Sequence, residues 1–267
     1  MRDVTHVLGI DVGGSGIKGA PVDLQAGELA VPRRKVLTPQ PSTPEACAGA
    51  MATIIEQFAD QIDGPIGVAV PAPVLHGVTP FMANLDQSWV GLDADAYLSE
   101  KLGREVVLVN DADAAGVAEM QYGAGRGKQG TVVLTTLGTG VGTALFHDGR
   151  LVPNTEFGHI EINGRDAESR AASSYMEREH ISYKKWAKHL QRYYSTLEKL
   201  LWPDLFIVGG GVSREYKRFL PLLNLQTPIV PASLRNGAGT IGAALAASLR
   251  VGANVPPGAQ RIASVPD

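Results

Sequence analysis

The sequence holds only one cysteine, Cys47, among 267 residues. One thiol cannot build an intrachain disulfide framework, and it cannot supply a cysteine-based zinc site. We therefore expect Cys47 to be a small apolar filler on a helix. Long apolar runs are lacking too, so the sequence predicts no membrane span. The first strand is predicted to begin a few residues after Met1, which leaves no room for a signal peptide. These absences favour a cytoplasmic protein without a membrane partner.

An excess of charge of one sign is also absent. The sequence has 24 Lys and Arg against 27 Asp and Glu, a formal net charge of −3 at pH 7. We expect no nucleic-acid partner, because there is no overall positive field to attract one. A polyanionic ligand would have to meet a local basic patch. With 44% hydrophobic residues the composition is ordinary for an α/β protein, and the length suffices for two domains of moderate size.

Near the start of the chain an apolar strand runs into a group of glycines. Residues 7–10 are apolar, and the polar and glycine positions that follow them are Asp11, Gly13, Gly14, Gly16 and Lys18. Glycines permit a tight turn and expose the backbone N–H groups that a phosphate needs at close approach. Asp11 could hold a Mg²⁺-phosphate, and Lys18 adds a cation. The spacing is neither that of a Walker A loop nor that of a Rossmann fingerprint.

A second copy of this pattern, TVVLTTLGTGVG, occupies residues 131–142, where Thr136 and Thr139 supply hydroxyls. Two strand-and-glycine units in one chain indicate an internal duplication with a phosphate clamp between the halves. With NDAD at 110–113 and GGG at 209–211, the pattern resembles the sugar kinase/actin/Hsp70 ATPase superfamily. The resemblance implies an α/β, two-domain actin-like ATPase (ribonuclease H-like) fold with a cleft between the domains.

The duplication also predicts the domain boundaries. Residues 1–109 would form an N-terminal α/β domain, joined by a C-terminal helix at about 237–250. Residues 110–236 would form a C-terminal α/β domain, and residues 251–267, rich in Pro, Gly and Ala, a flexible tail.

Local signals predict the surrounding elements. Thr43 is predicted to cap a helix, residues 30–37 to form one strand, and Ser213 to begin a short helix. Residues 182–201 are predicted to form the longest helix. Its apolar stripe, which fits either the core or a dimer surface, consists of Trp186, Leu190, Tyr193, Leu197 and Leu201.

Asp111 and Asp113 directly follow a buried strand and precede an Ala-rich helix. A carboxylate at this opening can accept the proton of a hydroxyl that attacks a phosphoryl group. Asp111 could instead cap the helix, and Asp113 could serve as the base. The spacing alone leaves the base and cap interpretations about level.

Glu156 and His159 form an E-x-G-H pattern, with Glu161 just beyond it. On a strand over residues 155–162, His159 and Glu161 would share a face. These groups suit several sugar hydroxyls at once, because they accept hydrogen bonds and His159 can also donate one. His and Glu also ligate zinc, but no cysteine or second nearby histidine completes such a site. We therefore expect no zinc site.

The motifs DVGGSGIK, NDAD, LGTGVG, ExGH and VGGGVS together resemble those of the ROK family (repressors, open reading frames, kinases). In most of that family a cysteine-rich zinc motif follows ExGH, whereas this chain reads INGRDAESRAAS. This departure, with the segment over residues 182–213, resembles the polyphosphate-using sugar kinases of the family. The resemblance covers residues 5–249.

This resemblance implies roles for individual residues. Asp111 would be the general base that takes the proton of the sugar 6-hydroxyl. The implied sugar contacts are Asn84, Asn110, Asp111, Glu156, His159 and Glu168. The donor phosphates would be surrounded by Asp11, Gly13, Gly14, Lys18, Thr139 and Gly140. Gly210 and Gly211 would approach a nucleotide base, and Asp11 would meet Mg²⁺ through phosphate and water.

The implied function is transfer of the terminal phosphoryl group of inorganic polyphosphate or ATP to the 6-hydroxyl of glucose, with mannose as a further candidate acceptor. Mg²⁺ is the implied cofactor, and a homodimer is the implied assembly. The alternative is an ATP-only ROK hexokinase. A repressor needs a helix-turn-helix ahead of the first strand, where only six residues precede Val7. A filament-forming actin relative has no need of ExGH.

A polyphosphate chain on an acidic protein would need a basic track that leads to Lys18. The candidates are Arg126, Lys128, Lys184, Lys185, Lys188 and Arg192. An ordinary solvated helix face is the alternative for the lysines. The triplet Arg33-Arg34-Lys35 is interpreted as a solvated strand edge.

Overall fold

The computed structural model of the chain describes residues 6–252 together with residues 255, 256 and 259. It contains two mixed β-sheets, with two helices packed between them and further helices on their other faces. The predicted tail at 251–267 falls mainly outside the described residues.

The first sheet is built from the N-terminal part of the chain. Its strands are β1 (His6–Gly13), β2 (Gly16–Asp23), β3 (Glu28–Leu29), β4 (Arg34–Val36), β5 (Ile62–Val70) and β6 (Val106–Asn110). Their order is β3-β2-β1-β5-β6, and β4 also pairs with β2. β1 and β2 form an antiparallel hairpin, whereas β5 and β6 continue the sheet in parallel.

The second sheet repeats this topology. Its strands are β7 (Thr131–Leu137), β8 (Val141–His147), β9 (Arg150–Val152), β10 (Leu205–Gly209) and β11 (Ile229–Pro231). Their order is β9-β8-β7-β10-β11, again an antiparallel hairpin continued by two parallel strands. The equivalent strand orders support the predicted duplication.

Seven α-helices connect and cover the strands among the described residues. They are α1 (Pro44–Gln57), α2 (Ala94–Leu102), α3 (Asp111–Tyr122), α4 (Glu168–Ala171), α5 (Ser173–Arg178), α6 (Tyr183–Leu201) and α7 (Ala238–Val251). The hydroxyl of Thr43 accepts the N–H of Ala46 at 3.2 Å, so the predicted cap of α1 is confirmed. Cys47 is buried in α1, as expected. None of the described helices is long and apolar enough to cross a bilayer.

The apolar stripe of α6 belongs to the core. Trp186, Leu190, Tyr193 and Leu197 are buried against residues of the second sheet such as Phe206. Of the two predicted interpretations of this stripe, packing in the core is therefore confirmed.

Helices α3 and α7 lie between the sheets and share one apolar cluster with both. They approach most closely at Gly242, where a Cβ atom would lie 1.7 Å from the carbonyl oxygen of Ala114. Only glycine allows the two backbones to come this near. The cluster joins Val22 of the first sheet to Phe146 of the second, so these two helices hold the halves together.

Outside the ExGH segment, two predicted elements differ from the structure. Of the strand predicted at 30–37 only β4 over Arg34–Val36 forms, while β3 ends before it at Leu29. Pro32 lies in the gap between them and has no N–H to donate to a sheet. The helix predicted from Ser213 is a 3₁₀ turn over Gly211–Arg218. Both the N–H and the hydroxyl of Ser213 donate to the Gly210 carbonyl, which tightens the backbone into i→i+3 bonding.

Candidate active site

Strand register brings two predicted site carboxylates to one edge of the first sheet. Asp11 on β1 lies opposite Lys18 on β2, with Lys18 Nζ 3.9 Å from Asp11 Oδ2. On the other side of β1, Asp11 pairs with Ala69 of β5, and Val70 pairs with Asn110 at the end of β6. The residue after Asn110 therefore lies at the same edge as Asp11.

Asn110 caps α3. Its Oδ1 accepts the N–H groups of Ala112 at 2.9 Å and Asp113 at 3.0 Å, and its Nδ2 donates to the Ala72 carbonyl at 3.2 Å. The alternative interpretation of Asp111 as the helix cap is therefore wrong. Because the side chain of Asn110 is buried and already bonded to backbone on both its oxygen and its nitrogen, its predicted sugar contact stays a prediction.

Asp111 begins α3 with a partly exposed side chain. Burial raises the pKa of its carboxyl to about 7, and the negative charges of Asp11 and Glu156 add to the rise. Hydrogen bonding from backbone N–H groups opposes the rise. A base with a pKa near the working pH combines the required protonation state with a strong pull on the proton. Asp111 therefore has the chemistry of a general base.

Asp113 has a similar pKa and a different position. Burial raises the pKa of its carboxyl to about 7, but the residue is only 1% exposed. Its Oδ2 accepts the N–H of Asn154 at 2.7 Å, and its Oδ1 has no hydrogen-bond partner among the described residues. A carboxylate enclosed in this way cannot reach a substrate hydroxyl, which disfavours Asp113 as the base.

Asn154, which the motifs did not reveal, also bonds to Val74 in the other half of the chain. Its Oδ1 accepts the N–H of Val74 at 2.8 Å, and its Nδ2 donates to the Val74 carbonyl at 2.9 Å. The pair ties the loop after β5 to the segment after β9, and so links the two halves of the chain. The positive φ of 59° at Asn154 fits the tolerance of asparagine for that conformation.

The ExGH residues lie on a turn, so the strand predicted over 155–162 is wrong. Phe157–His159 is a 3₁₀ turn that begins after Glu156. A Cβ at Gly158 would lie 2.2 Å from the Val141 carbonyl oxygen, so the turn packs against β8 too closely for any other residue. Glu161 is exposed, and its backbone forms an isolated antiparallel β-bridge with that of Asp166.

His159 is held by two carboxylates. Its Nδ1 lies 3.1 Å from Asp166 Oδ2 and 4.0 Å from Glu168 Oε1. The hydrogen bond to Asp166 raises the pKa of His159, and the charges of Glu168 and Glu156 add to the rise against burial. Burial raises the pKa of Glu156, with His159 opposing. Since an ionised carboxylate only accepts, Nδ1 donates to Asp166 and leaves Nε2 for a ligand.

Glu168 joins these residues to the second glycine turn. Its Oε2 accepts the N–H of Val141 at 3.0 Å, directly after Gly140. In the turn itself, the Gly138 N–H donates to the Gly140 carbonyl at 3.0 Å, and the Ser174 hydroxyl donates to the Thr139 carbonyl at 2.7 Å. The predicted donor residues Thr139 and Gly140 therefore belong to a turn braced by α4 and α5.

The first glycine turn meets the segment of Asn84. Gly13 pairs with Gly16 at the tip of the hairpin. The Asn84 carbonyl oxygen lies 3.4 Å from the position that a Cβ of Gly14 would take, and Asn84 is exposed. A predicted sugar contact and a predicted donor turn are thus neighbours.

Gly210 and Gly211 lie at the end of β10, beside the end of β7. Gly210 has a φ of 81°, and a Cβ there would come within 2.3 Å of the Leu137 carbonyl oxygen. Around Gly211 a Cβ would meet nothing within 4 Å, so a flat ligand could approach its backbone.

The donor set fits a magnesium ion held through ligands rather than by a protein cage. Burial raises the pKa of Asp11, with Lys18 and Arg33 opposing, and the charge of Asp11 in turn raises the pKa of Asp111. Two carboxylates that repel each other in this way suit a hydrated cation near them, and Mg²⁺ usually keeps several waters. Within the described part of the chain, no cluster of three or more His, Cys, Asp or Glu side chains is arranged to hold a metal ion.

Comparisons with known proteins agree with this geometry. The chain is 52% identical over 242 residues to the polyphosphate glucokinase of Mycobacterium tuberculosis (strain CDC 1551 / Oshkosh), covering 90% of this chain and 91% of the relative. It is 49% identical to the polyphosphate glucokinase of Mycobacterium leprae (strain TN), covering 91% and 75% of the two chains. The crystal structure of inorganic polyphosphate/ATP-glucomannokinase from Arthrobacter sp. strain KM superposes with a TM-score of 0.88 at 49% identity, covering 92% of this chain and 99% of that one.

The sequence model described as the ROK family matches residues 7–180. The predicted α/β, actin-like fold is confirmed by the two repeated sheets and by this structural similarity. The chain belongs to the ROK family.

Proposed function

We propose that the protein moves the terminal phosphoryl group of inorganic polyphosphate or ATP to the 6-hydroxyl of glucose. The observation that carries this proposal is Asp111, a partly exposed carboxylate at the start of α3 whose pKa burial raises to about 7, with the charges of Asp11 and Glu156 adding to the rise. The names of the relatives at 49–52% identity support the choice of sugar and donors.

In this mechanism Asp111 accepts the proton of the 6-hydroxyl as its oxygen attacks the terminal phosphorus. Glu156 and Glu168 accept hydrogen bonds from sugar hydroxyls, and Nε2 of His159 forms a further hydrogen bond with the sugar. The backbone N–H groups of the two glycine turns and Lys18 neutralise charge on the donor. Phosphoryl transfer asks little covalent chemistry of a protein, so positioning and electrostatics supply most of the acceleration.

Mg²⁺ bound with the donor phosphates would offset their charge in the transition state. Asp11 would hold it through water or phosphate, because its carboxylate is only partly exposed and already lies beside Lys18. The same carboxylate keeps Lys18 oriented across the hairpin.

Mannose is the second acceptor that we propose. The Arthrobacter protein is described as a glucomannokinase. Glucose and mannose differ in the orientation of one hydroxyl, which a bridging water can accommodate in a polar pocket. We further propose that the protein acts in the cytoplasm, where ATP is available, and as a homodimer, as the family resemblance implies.

The test is phosphorylation of glucose and mannose with ATP and with polyphosphate, in four parallel assays with Mg²⁺. We expect turnover of glucose with both donors, and of mannose at a lower kcat/KM. Activity with ATP alone would replace this proposal by an ATP-only hexokinase, and activity with neither sugar would refute the choice of acceptor.

A further inference from the structure

A second lysine, Lys35, lies beside Lys18 on the first glycine hairpin. Strand β4 pairs with β2 so that Lys35 is directly opposite Lys18, and Lys18 is directly opposite Asp11 on β1. Residues directly opposite on antiparallel strands project to the same face of a sheet. Asp11, Lys18 and Lys35 therefore form a row of one negative and two positive charges.

This row has an excess positive charge. Lys18 has Asp11 at 3.9 Å, whereas the exposed Lys35 has no ion-pair partner among the described residues. Like charges directly opposite one another destabilise a sheet. Arg33 adds to the excess, since its charge acts on Asp11 together with that of Lys18. An anion bound over the row would relieve this repulsion.

The glycine turn leaves space for the Lys35 side chain. A Cβ at Gly16 would lie 2.4 Å from Lys35 Cε and 3.4 Å from Lys35 Nζ. The Lys35 side chain therefore passes directly over Gly16, and its ammonium lies near the turn. Arg34, the preceding residue on β4, projects to the opposite face and lacks this path.

We propose that Lys35 and Lys18 together bind a condensed phosphate of the donor at the first glycine turn. This inference deepens the proposed function and rests on it, because it identifies where an inorganic polyphosphate chain continues beyond the transferred group. The basic triplet at residues 33–35 is then part of a ligand site. The track predicted along α6 is not needed for the first phosphates.

The test compares four single variants by calorimetric titration of inorganic tripolyphosphate with Mg²⁺ and without sugar, the fourth being Lys188→Gln on α6. Lys35→Gln removes the charge, and Gly16→Ala keeps the charge but displaces the lysine. Arg34→Gln is the matched control, one residue away on the other face. We expect the Kd to rise about tenfold in Lys35→Gln and severalfold in Gly16→Ala, and to change less than about twofold in Arg34→Gln. Thermal melts should show no loss of stability in Lys35→Gln, since a like-charge pair is removed.

The outcomes separate this site from the function. Unchanged tripolyphosphate affinity in Lys35→Gln, or an equal loss in Arg34→Gln, would overturn the site, even if the wild-type enzyme uses polyphosphate. A loss in Lys188→Gln on α6 that exceeds the loss in Lys35→Gln would also overturn it and favour the α6 track. If the expected affinity pattern holds but glucose is phosphorylated from ATP alone, the phosphate site at Lys35 and Lys18 is supported. The proposed use of polyphosphate as a donor is then refuted.

Discussion

Two carboxyl groups in the first turn of α3 share a raised pKa and differ in what they can touch. Asp111 is partly exposed and feels the charges of Asp11 and Glu156, whereas Asp113 is enclosed and accepts the N–H of Asn154. The cap supplied by Asn110 explains how carboxylates two positions apart come to have different surroundings. It bonds the N–H groups of Ala112 and Asp113, so the Asp111 side chain need not turn inward.

Replacing Asp111 by Asn should lower kcat by about 10²–10⁴-fold while glucose affinity stays close to that of the wild type. The amide keeps the size of the side chain but cannot take the proton. Steady-state kinetics and calorimetric glucose titration measure the two effects separately. Asp113→Asn, whose amide oxygen can still accept the Asn154 N–H, is the control and should retain most of the turnover. A larger loss in the control than in Asp111→Asn would move the base to Asp113.

The pKa of Asp111 also sets the pH dependence of the reaction. A general base works deprotonated, so a pKa raised to about 7 means that activity is lost as the pH falls through that value. We expect kcat/KM to fall about tenfold per pH unit on the acid side of the inflection. Since burial is the first cause of the shift and Asp11 the second, Asp11→Asn should move the inflection to lower pH. A profile that stays flat from about pH 5 to about pH 8 would contradict the assignment.

At the scale of elements, α3 and α7 cross with almost no space between their backbones at Gly242. Gly242→Ala would push a methyl group into the Ala114 carbonyl, 1.7 Å away, and overpacking of this kind costs about 1–3 kcal/mol or more. We expect a clear drop in the urea midpoint. Gly49→Ala on α1 is the matched control, because nothing lies within 4 Å of its Cβ position and alanine favours a helix by roughly 0.5–1 kcal/mol. Equal stability of the two variants would show that α3 and α7 can move apart to accommodate the methyl group.

Elements specified by local chemistry could be predicted from the sequence, and elements decided by packing could not. The cap at Thr43 and the two glycine hairpins depend on residues within a few positions of one another. The turn of ExGH depends instead on how closely Gly158 approaches Val141 of β8, a contact that no periodicity reveals.

The same limit applies to the site. Asp111 and Glu156 follow from motifs, but the roles of Asp166 and Asn154 depend on partners brought together by the fold. Lys35 was interpreted as a solvated residue, because its position opposite Lys18 requires the register of β2 and β4.

At the scale of the whole molecule, we propose that residues 1–109 with α7 and residues 110–236 act as two domains that close on the sugar. The Asn154–Val74 bonds join the halves and would be a fixed point of that motion. Closure excludes water that would otherwise hydrolyse the donor. Small-angle scattering should show a smaller radius of gyration at saturating glucose than without it. An identical radius in both states would count against closure, with a non-binding sugar as the control for solvent contrast.

The repeated hairpins have a consequence for which phosphoryl donor the protein can use. β1–β2 and β7–β8 present glycine turns from two sheets of the same strand order. If these turns bind the donor as we propose, their backbone N–H groups would contact its phosphates and would not contact the group attached to the far end of the phosphate chain. Discrimination between ATP and inorganic polyphosphate would then depend on peripheral groups such as the open backbone at Gly211 or the side chain of Lys35. If both turns bind donor phosphates as proposed, substitutions at such peripheral positions would alter which donor is used without changing Asp111.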